Sequence, residues 1–166
     1  MPLPRGRLIT LEGGEGAGKS TQIRYLQDFL STKYGLEIVV TREPGGTPGA
    51  EAIRELLVHG DARRWDGVAE LLLHYAARRD HVERLIKPAL ARGAWVLSDR
   101  FADSSMAYQG IVQGVGLDRV FELHQLVLGN FWPDLTFVLD LPVSVGLQRA
   151  SARDGGAAGR YERMGN

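Results

Sequence analysis

Gly13 and Gly18 bracket four residues and are followed directly by Lys19 and Ser20, within the run Gly13-Gly14-Glu15-Gly16-Ala17-Gly18-Lys19-Ser20-Thr21. That spacing lets a chain wrap an oligophosphate. The glycines allow successive backbone N–H groups to converge on the oxygens, the lysine ammonium reaches the β- and γ-phosphates, and the serine hydroxyl can ligate Mg²⁺. The flanks agree. Leu8-Ile9-Thr10-Leu11 reads as a strand, and Ile23, Leu26, Phe29 and Leu30 recur at helical spacing after the loop. The loop would therefore open a helix whose positive end faces the anion. By itself it specifies a nucleoside triphosphate and nothing about what receives or senses it.

Four further groups carry chemistry. Asp99 follows Trp95-Val96-Leu97-Ser98 at the end of a strand, where a carboxylate can hold Mg²⁺ or simply cap a loop. Arg42, in Thr41-Arg42-Glu43-Pro44-Gly45-Gly46-Thr47, ends another strand beside a turn, and either brings charge to a second anion or makes a surface ion pair. Arg100, next to Asp99, can grip an acceptor phosphate with its two-pronged guanidinium or serve a structural pair. Ser104-Ser105 and Ala107-Tyr108-Gln109-Gly110 follow it, and Tyr108 and Gln109 can shape a nucleoside pocket. His74 and Arg78 share one face of a helix, a spacing that suits stacking and hydrogen bonding to a base, or an ordinary amphipathic surface. Arg149, Arg153 and Arg160 punctuate a Gly/Ala-rich stretch that reads as a lid over transferring phosphates or as a charged loop.

The elements that must position these groups alternate. The pattern predicts strands over 8–11, 36–41, 95–97 and 135–139, a helix through Ile23 to Leu30 capped by Gly35, and helices over about 47–58, 68–90, 117–128 and 143–149. The consecutive Ile38-Val39-Val40 suggests a strand buried on both faces. Strands separated by helices imply an α/β sheet with right-handed crossovers.

The bulk composition narrows the field. The 166 residues suit one compact domain, with 44% hydrophobic and 24% charged residues. Twenty basic residues balance twenty acidic ones, which argues against a nucleic-acid-binding face. No cysteine is present, so thiol chemistry is excluded. The start of the sequence does not read as a secretory signal, and no apolar run reaches the roughly 18 residues of a membrane helix. A cytoplasmic protein without a membrane partner is expected. The 21 glycines are nearly twice the usual share, and they cluster at the loops just described.

Taken together, Glu12 to Thr21, Thr41 to Thr47, Asp99-Arg100-Phe101 with Ser104-Ser105, and Ala107-Tyr108-Gln109-Gly110 resemble the bacterial thymidylate kinases, from residue 7 to about residue 164. The resemblance implies a P-loop kinase fold of three layers, a central parallel sheet with helices on both faces. It implies a phosphotransferase that moves the γ-phosphate of Mg-ATP to dTMP, a step of dTTP biosynthesis, in a homodimer. By position, Gly13, Gly14, Glu15, Gly16, Ala17, Gly18, Lys19, Ser20 and Thr21 would hold ATP, and Ser20 and Asp99 would hold Mg²⁺. Glu15, Arg42, His74, Arg78, Arg100, Ser105, Tyr108 and Gln109 would bind dTMP, with Tyr108 crowding the 2′ position. Lys19, Arg100 and Arg153 would be catalytic; glycine at position 16 matches members whose catalytic arginine lies in the lid, about residues 150–160. His74 stands where the family usually has phenylalanine, and the helix and last strand that the family carries after its lid find no match in the sequence. The competing readings are another deoxynucleotide or nucleoside kinase, and a nucleotide-dependent switch.

Overall fold

The computed structural model describes residues 5–61 and 64–153. In chain order they form β1 (Leu8–Gly13), α1 (Lys19–Tyr34), β2 (Ile38–Arg42), α2 (Pro48–Val58) and α3 (Gly67–His81). A π-helical turn at Val82–Ile86 leads into α4 (Lys87–Ala91), then β3 (Trp95–Asp99), α5 (Ala102–Ser105) and a second π-helical stretch at Met106–Val112. The last described elements are α6 (Leu117–Leu128), β4 (Leu135–Leu139) and α7 (Val143–Arg153).

The four strands are all parallel, in the order β2-β3-β1-β4. Alternate residues of the central strands feed two separate cores. Leu8 and Val96 pack with Val82, Ile86, Leu90 and Phe101 on one face, while Ile9, Leu11 and Leu97 pack with Ile23 and Leu30 of α1 on the other. This gives the expected three layers. The chain leaves β1 towards β2, returns through β3, and then crosses to β4 on the far side of β1. Such a reversal opens a crevice at the carboxyl ends of the strands. The register aligns Leu11, Asp99 and Arg42 across three strands at that edge.

Two local expectations differ from the structure, and one stretch forms elements where none was predicted. β2 is an edge strand, and Val40 is 44% exposed rather than buried on both faces. Consecutive apolar residues report an apolar sheet but not which strands have neighbours on both sides. The helix expected over 68–90 is interrupted at Val82–Ile86, one residue before Lys87-Pro88. Pro88 has no N–H to continue the ladder, and a π-turn accommodates the missing bond. Residues 102–112, with Gly110 and no apolar period, nonetheless form α5 and its π-helical continuation. Among the described residues no helix is long and apolar enough to cross a membrane.

Candidate active site

Lys19 is the first residue of α1, entered through Gly18. Its ammonium donates to the carbonyls of Gly13 at 3.0 Å and Gly14 at 2.9 Å, lying across the loop it belongs to. Burial lowers its pKa from the ordinary lysine value, and the nearby Arg100 charge acts the same way. The hydroxyl of Ser20, next on the helix, donates to Asp99 Oδ2 at 3.3 Å. Loop and strand end are thus joined where both line one pocket of about 480 Å³, together with Arg42, Arg100 and Arg149. A hydroxyl and a carboxylate side by side are the hard oxygen donors that Mg²⁺ takes, water and phosphate supplying the rest. Among the described residues no cluster of three or more His, Asp or Glu competes as a metal centre.

Arg100 occupies a left-handed backbone conformation, φ 74°, which costs a residue with a side chain about 1–3 kcal/mol. Its neighbours hold it there. The Arg100 N–H donates to Leu11 O at 3.0 Å. Its guanidinium donates to Glu15 Oε1 at 2.8 Å and to Ser104 Oγ at 3.0 Å, and lies 5.5 Å from the centre of the Tyr108 ring. Glu12, at the end of β1, closes the circuit by accepting from the Phe101 N–H at 2.7 Å and the Ser104 hydroxyl at 2.6 Å. Burial raises the Glu12 pKa, and the bonds from Ser104 and Phe101 oppose that rise.

A second, smaller pocket of about 110 Å³ adjoins the first and shares Glu15, Glu43, Arg54 and Arg100 with it. His74, Arg78, Phe101, Ser105, Tyr108 and Gln109 line its other side. Arg78 is 2% exposed. Its Nε donates to Glu43 Oε2 at 2.6 Å, and its Nη2 to Phe101 O and Ser105 Oγ, both at 3.1 Å. Its buried Nη1 has no hydrogen-bond partner among the described residues. Burial pushes the Glu43 carboxyl upward, but Arg78 and His81 outweigh it and hold the pKa below the usual glutamate value.

The structure therefore brings Glu15, His74, Arg78, Arg100, Ser105, Tyr108 and Gln109 to one pocket and the loop, Ser20 and Asp99 to the next. Gln109, and Arg42 at the larger pocket, hold carboxylates outside the two pockets. The Gln109 amide donates to the buried Glu70 at 2.9 Å, and Arg42 forks onto Glu51 at 2.9 and 3.0 Å. The side chain of Arg153 and all of Arg160, with most of the expected lid, lie outside the described residues; Arg149 on α7 lines the phosphate pocket. Sequence reasoning missed Glu12, Glu43 and Arg54 as site residues. Glu43 follows β2 directly, so an acidic residue at a strand's carboxyl end was the signal available for it.

A phosphate loop opening a helix, a hydroxyl–carboxylate pair beside it, and an adjoining pocket reached through an arginine define a P-loop α/β protein of the nucleotide-kinase type. The comparisons narrow that class. The thymidylate kinase family model matches residues 11–164. A thymidylate kinase of Caulobacter vibrioides is 60% identical over 163 residues, covering 98% of this chain and 77% of that protein. One from Bradyrhizobium sp. (strain ORS 278) is 55% identical over 159 residues, covering 95% and 70%. The crystal structure of thymidylate kinase from Ehrlichia chaffeensis superposes with a TM-score of 0.76 at 42% identity, covering 92% of this chain and 85% of that one. The chain belongs to the thymidylate kinase family.

Proposed function

We propose that this chain transfers the γ-phosphoryl group of Mg-ATP to dTMP, giving ADP and dTDP. The observation that carries the reading is the pair of adjoining pockets with Arg100 at their junction, one floored by the phosphate loop and the other enclosed by Arg78, Phe101 and Tyr108. A phosphate oxygen of dTMP attacks the γ-phosphorus as the bond to the bridging β–γ oxygen breaks, and ADP departs. The attacking oxygen is already largely anionic at neutral pH, the second pKa of a phosphate monoester being about 6, so no general base is needed. The obstacle is bringing two polyanions together in line. Lys19 and the loop N–H groups hold the donor phosphates, and Arg100, with Arg42 at the pocket's rim, draws in the acceptor phosphate. Ser20 and Asp99 would hold Mg²⁺, which would supply counter-charge to the donor phosphates. Glu15 would take the sugar hydroxyl, His74 would stack on the base, and Ser105 and the free Nη1 of Arg78 would face its edge. Tyr108 would exclude a 2′ hydroxyl, and Gln109 would brace the pocket through Glu70. Arg153 would bring a further cation from a lid over about residues 150–160. One kinase domain, a cytoplasmic setting and a homodimer belong to the same reading.

A coupled ADP-release assay with Mg-ATP, comparing dTMP, dUMP, dGMP, thymidine and no acceptor, tests it. Strong dTMP-dependent turnover is expected. Preference for another acceptor would remove the thymine assignment, and turnover independent of any acceptor would favour a nucleotide switch.

A further inference from the structure

Arg78 lines the smaller pocket, and its Nη1 is buried and without a partner among the described residues. A guanidinium has donors only, so whatever meets Nη1 must be an acceptor. Its usefulness depends on where the group points, and Arg78 is held largely by Glu43. Glu43 is held in turn. Its second oxygen, Oε1, lies 3.0 Å from His81 Nδ1, and His81 Nε2 shares a hydrogen bond of 2.7 Å with Thr41 Oγ1 of β2. An ionised carboxylate accepts only, so Nδ1 carries the proton that faces Glu43.

The ring is boxed in. His81 is completely buried, and a Cβ on Gly46 would lie 2.5 Å from both His81 Nε2 and Thr41 Oγ1. Gly46 also has φ 90°, so the turn after β2 closes directly over the imidazole. Arg78 and His81 lie one turn apart on α3 and grip opposite oxygens of one carboxylate. Neither His81 nor Thr41 lines the two pockets of the site.

We propose that His81, backed by Thr41, is a positioning residue for base recognition: it fixes Glu43, and Glu43 holds Arg78 with Nη1 aimed at a carbonyl oxygen of the pyrimidine. This rests on the dTMP kinase reading. The terminal torsion of a glutamate is soft, so a carboxylate gripped on one side only can turn, and the guanidinium bonded to it turns as well. The loss should fall on discrimination. An arginine donor meets the 4-oxo group of dTMP well but opposes the 4-amino group of dCMP, and a donor free to swing tells them apart less sharply.

The experiment measures kcat, KM for dTMP, KM for ATP, the dTMP-to-dCMP ratio of kcat/KM, and the thermal midpoint in His81→Phe, His81→Asn and Thr41→Val. In His81→Phe the KM for dTMP should rise about tenfold, and the dTMP-to-dCMP ratio should fall by a similar factor. The KM for ATP should stay within about twofold. His81→Asn keeps an N–H near the Nδ1 position and should recover most of the loss. Thr41→Val, which frees the far side of the ring, should shift the ratio in the same direction by about two- to threefold. A folded His81→Phe with the wild-type ratio would overturn the proposal, as would a loss shared equally by ATP and dTMP. Should His81→Phe not fold, an unchanged ratio in Thr41→Val overturns it instead. A wild-type enzyme with no dTMP-dependent turnover removes the parent reading and this one together; active wild type with indifferent variants removes this one alone.

Discussion

Arg100 and Arg78 depend on two buried carboxylates, Glu12 and Glu43. Glu12 accepts from Phe101 N and Ser104 Oγ, and so fixes the turn that keeps Arg100 at φ 74°. Glu12→Gln sets an amide NH₂ against one of two donors, and the turn should relax. A displacement of an ångström or so at such a group costs about 10²-fold, and that loss is expected in kcat/KM for dTMP, with ATP binding little changed by calorimetry. Glu43 makes a separate, pH-dependent contribution. Its folded pKa is lowered below 4.5, so its stabilising effect is present above that value and is lost as pH falls through the folded pKa. Glu43→Gln leaves the Arg78 charge buried without its counter-ion and should cost about 3–5 kcal/mol at neutral pH. Denaturant melts of the two proteins should converge as the medium is acidified through the folded Glu43 value. A constant gap across that range would show that the pair does not supply the stability. The loop, Asp99 and Arg100, which line the larger pocket, were legible from the sequence because they fall at strand ends. Glu12 and His81 were not: their partners lie 89 and 38 positions away, at Phe101 and Glu43, and no local pattern encodes such a pairing.

Among the elements, α7 meets the phosphate loop backbone to backbone. A Cβ on Gly146 would lie 2.6 Å from the Glu15 carbonyl, and one on Gly16 would strike the Gly146 carbonyl. Each glycine thus permits the other segment's approach, and this approach carries Arg149 to the phosphate pocket. Gly146→Ala should push α7 off the loop, costing about 1–3 kcal/mol of stability and raising the KM for ATP more than that for dTMP. An unchanged KM for ATP would mean that the contact is packing without consequence for the donor site. The periodicity located α7 by its start but gave no hint of this docking, since a helical glycine reads only as a weak helix former. The same pattern found α2 and α6 nearly to the residue. It failed at the two π-helical stretches, where a proline or glycine changes the hydrogen-bond ladder without changing which residues are apolar.

At the scale of the whole molecule, the described residues leave two apolar surfaces in the open. Val68 and Leu72 are exposed one turn apart on α3, and Leu117 and Phe121 one turn apart on α6, a helix that packs against α3. On the other flank, Tyr25 and Phe29 of α1 adjoin Phe137 and Val138 of the edge strand β4, and Val138 is 73% exposed. Exposed apolar patches of this kind mark association surfaces, and a formal net charge of zero offers no self-repulsion to oppose association. A closed pair requires a self-complementary patch, which two adjacent helices with exposed apolar residues supply more readily than a sheet edge, whose pairing can continue from copy to copy. Light scattering on the purified protein should therefore give twice the mass of one chain. Leu72→Glu combined with Phe121→Glu should halve it, whereas Phe29→Glu should leave it unchanged. Because such an interface rests on apolar burial, raising the salt concentration should not dissociate it. A dimer that survives the α3–α6 double substitution but yields to Phe29→Glu would place the contact on the β4 flank, and a wild-type monomer would remove the dimer from the proposed function altogether.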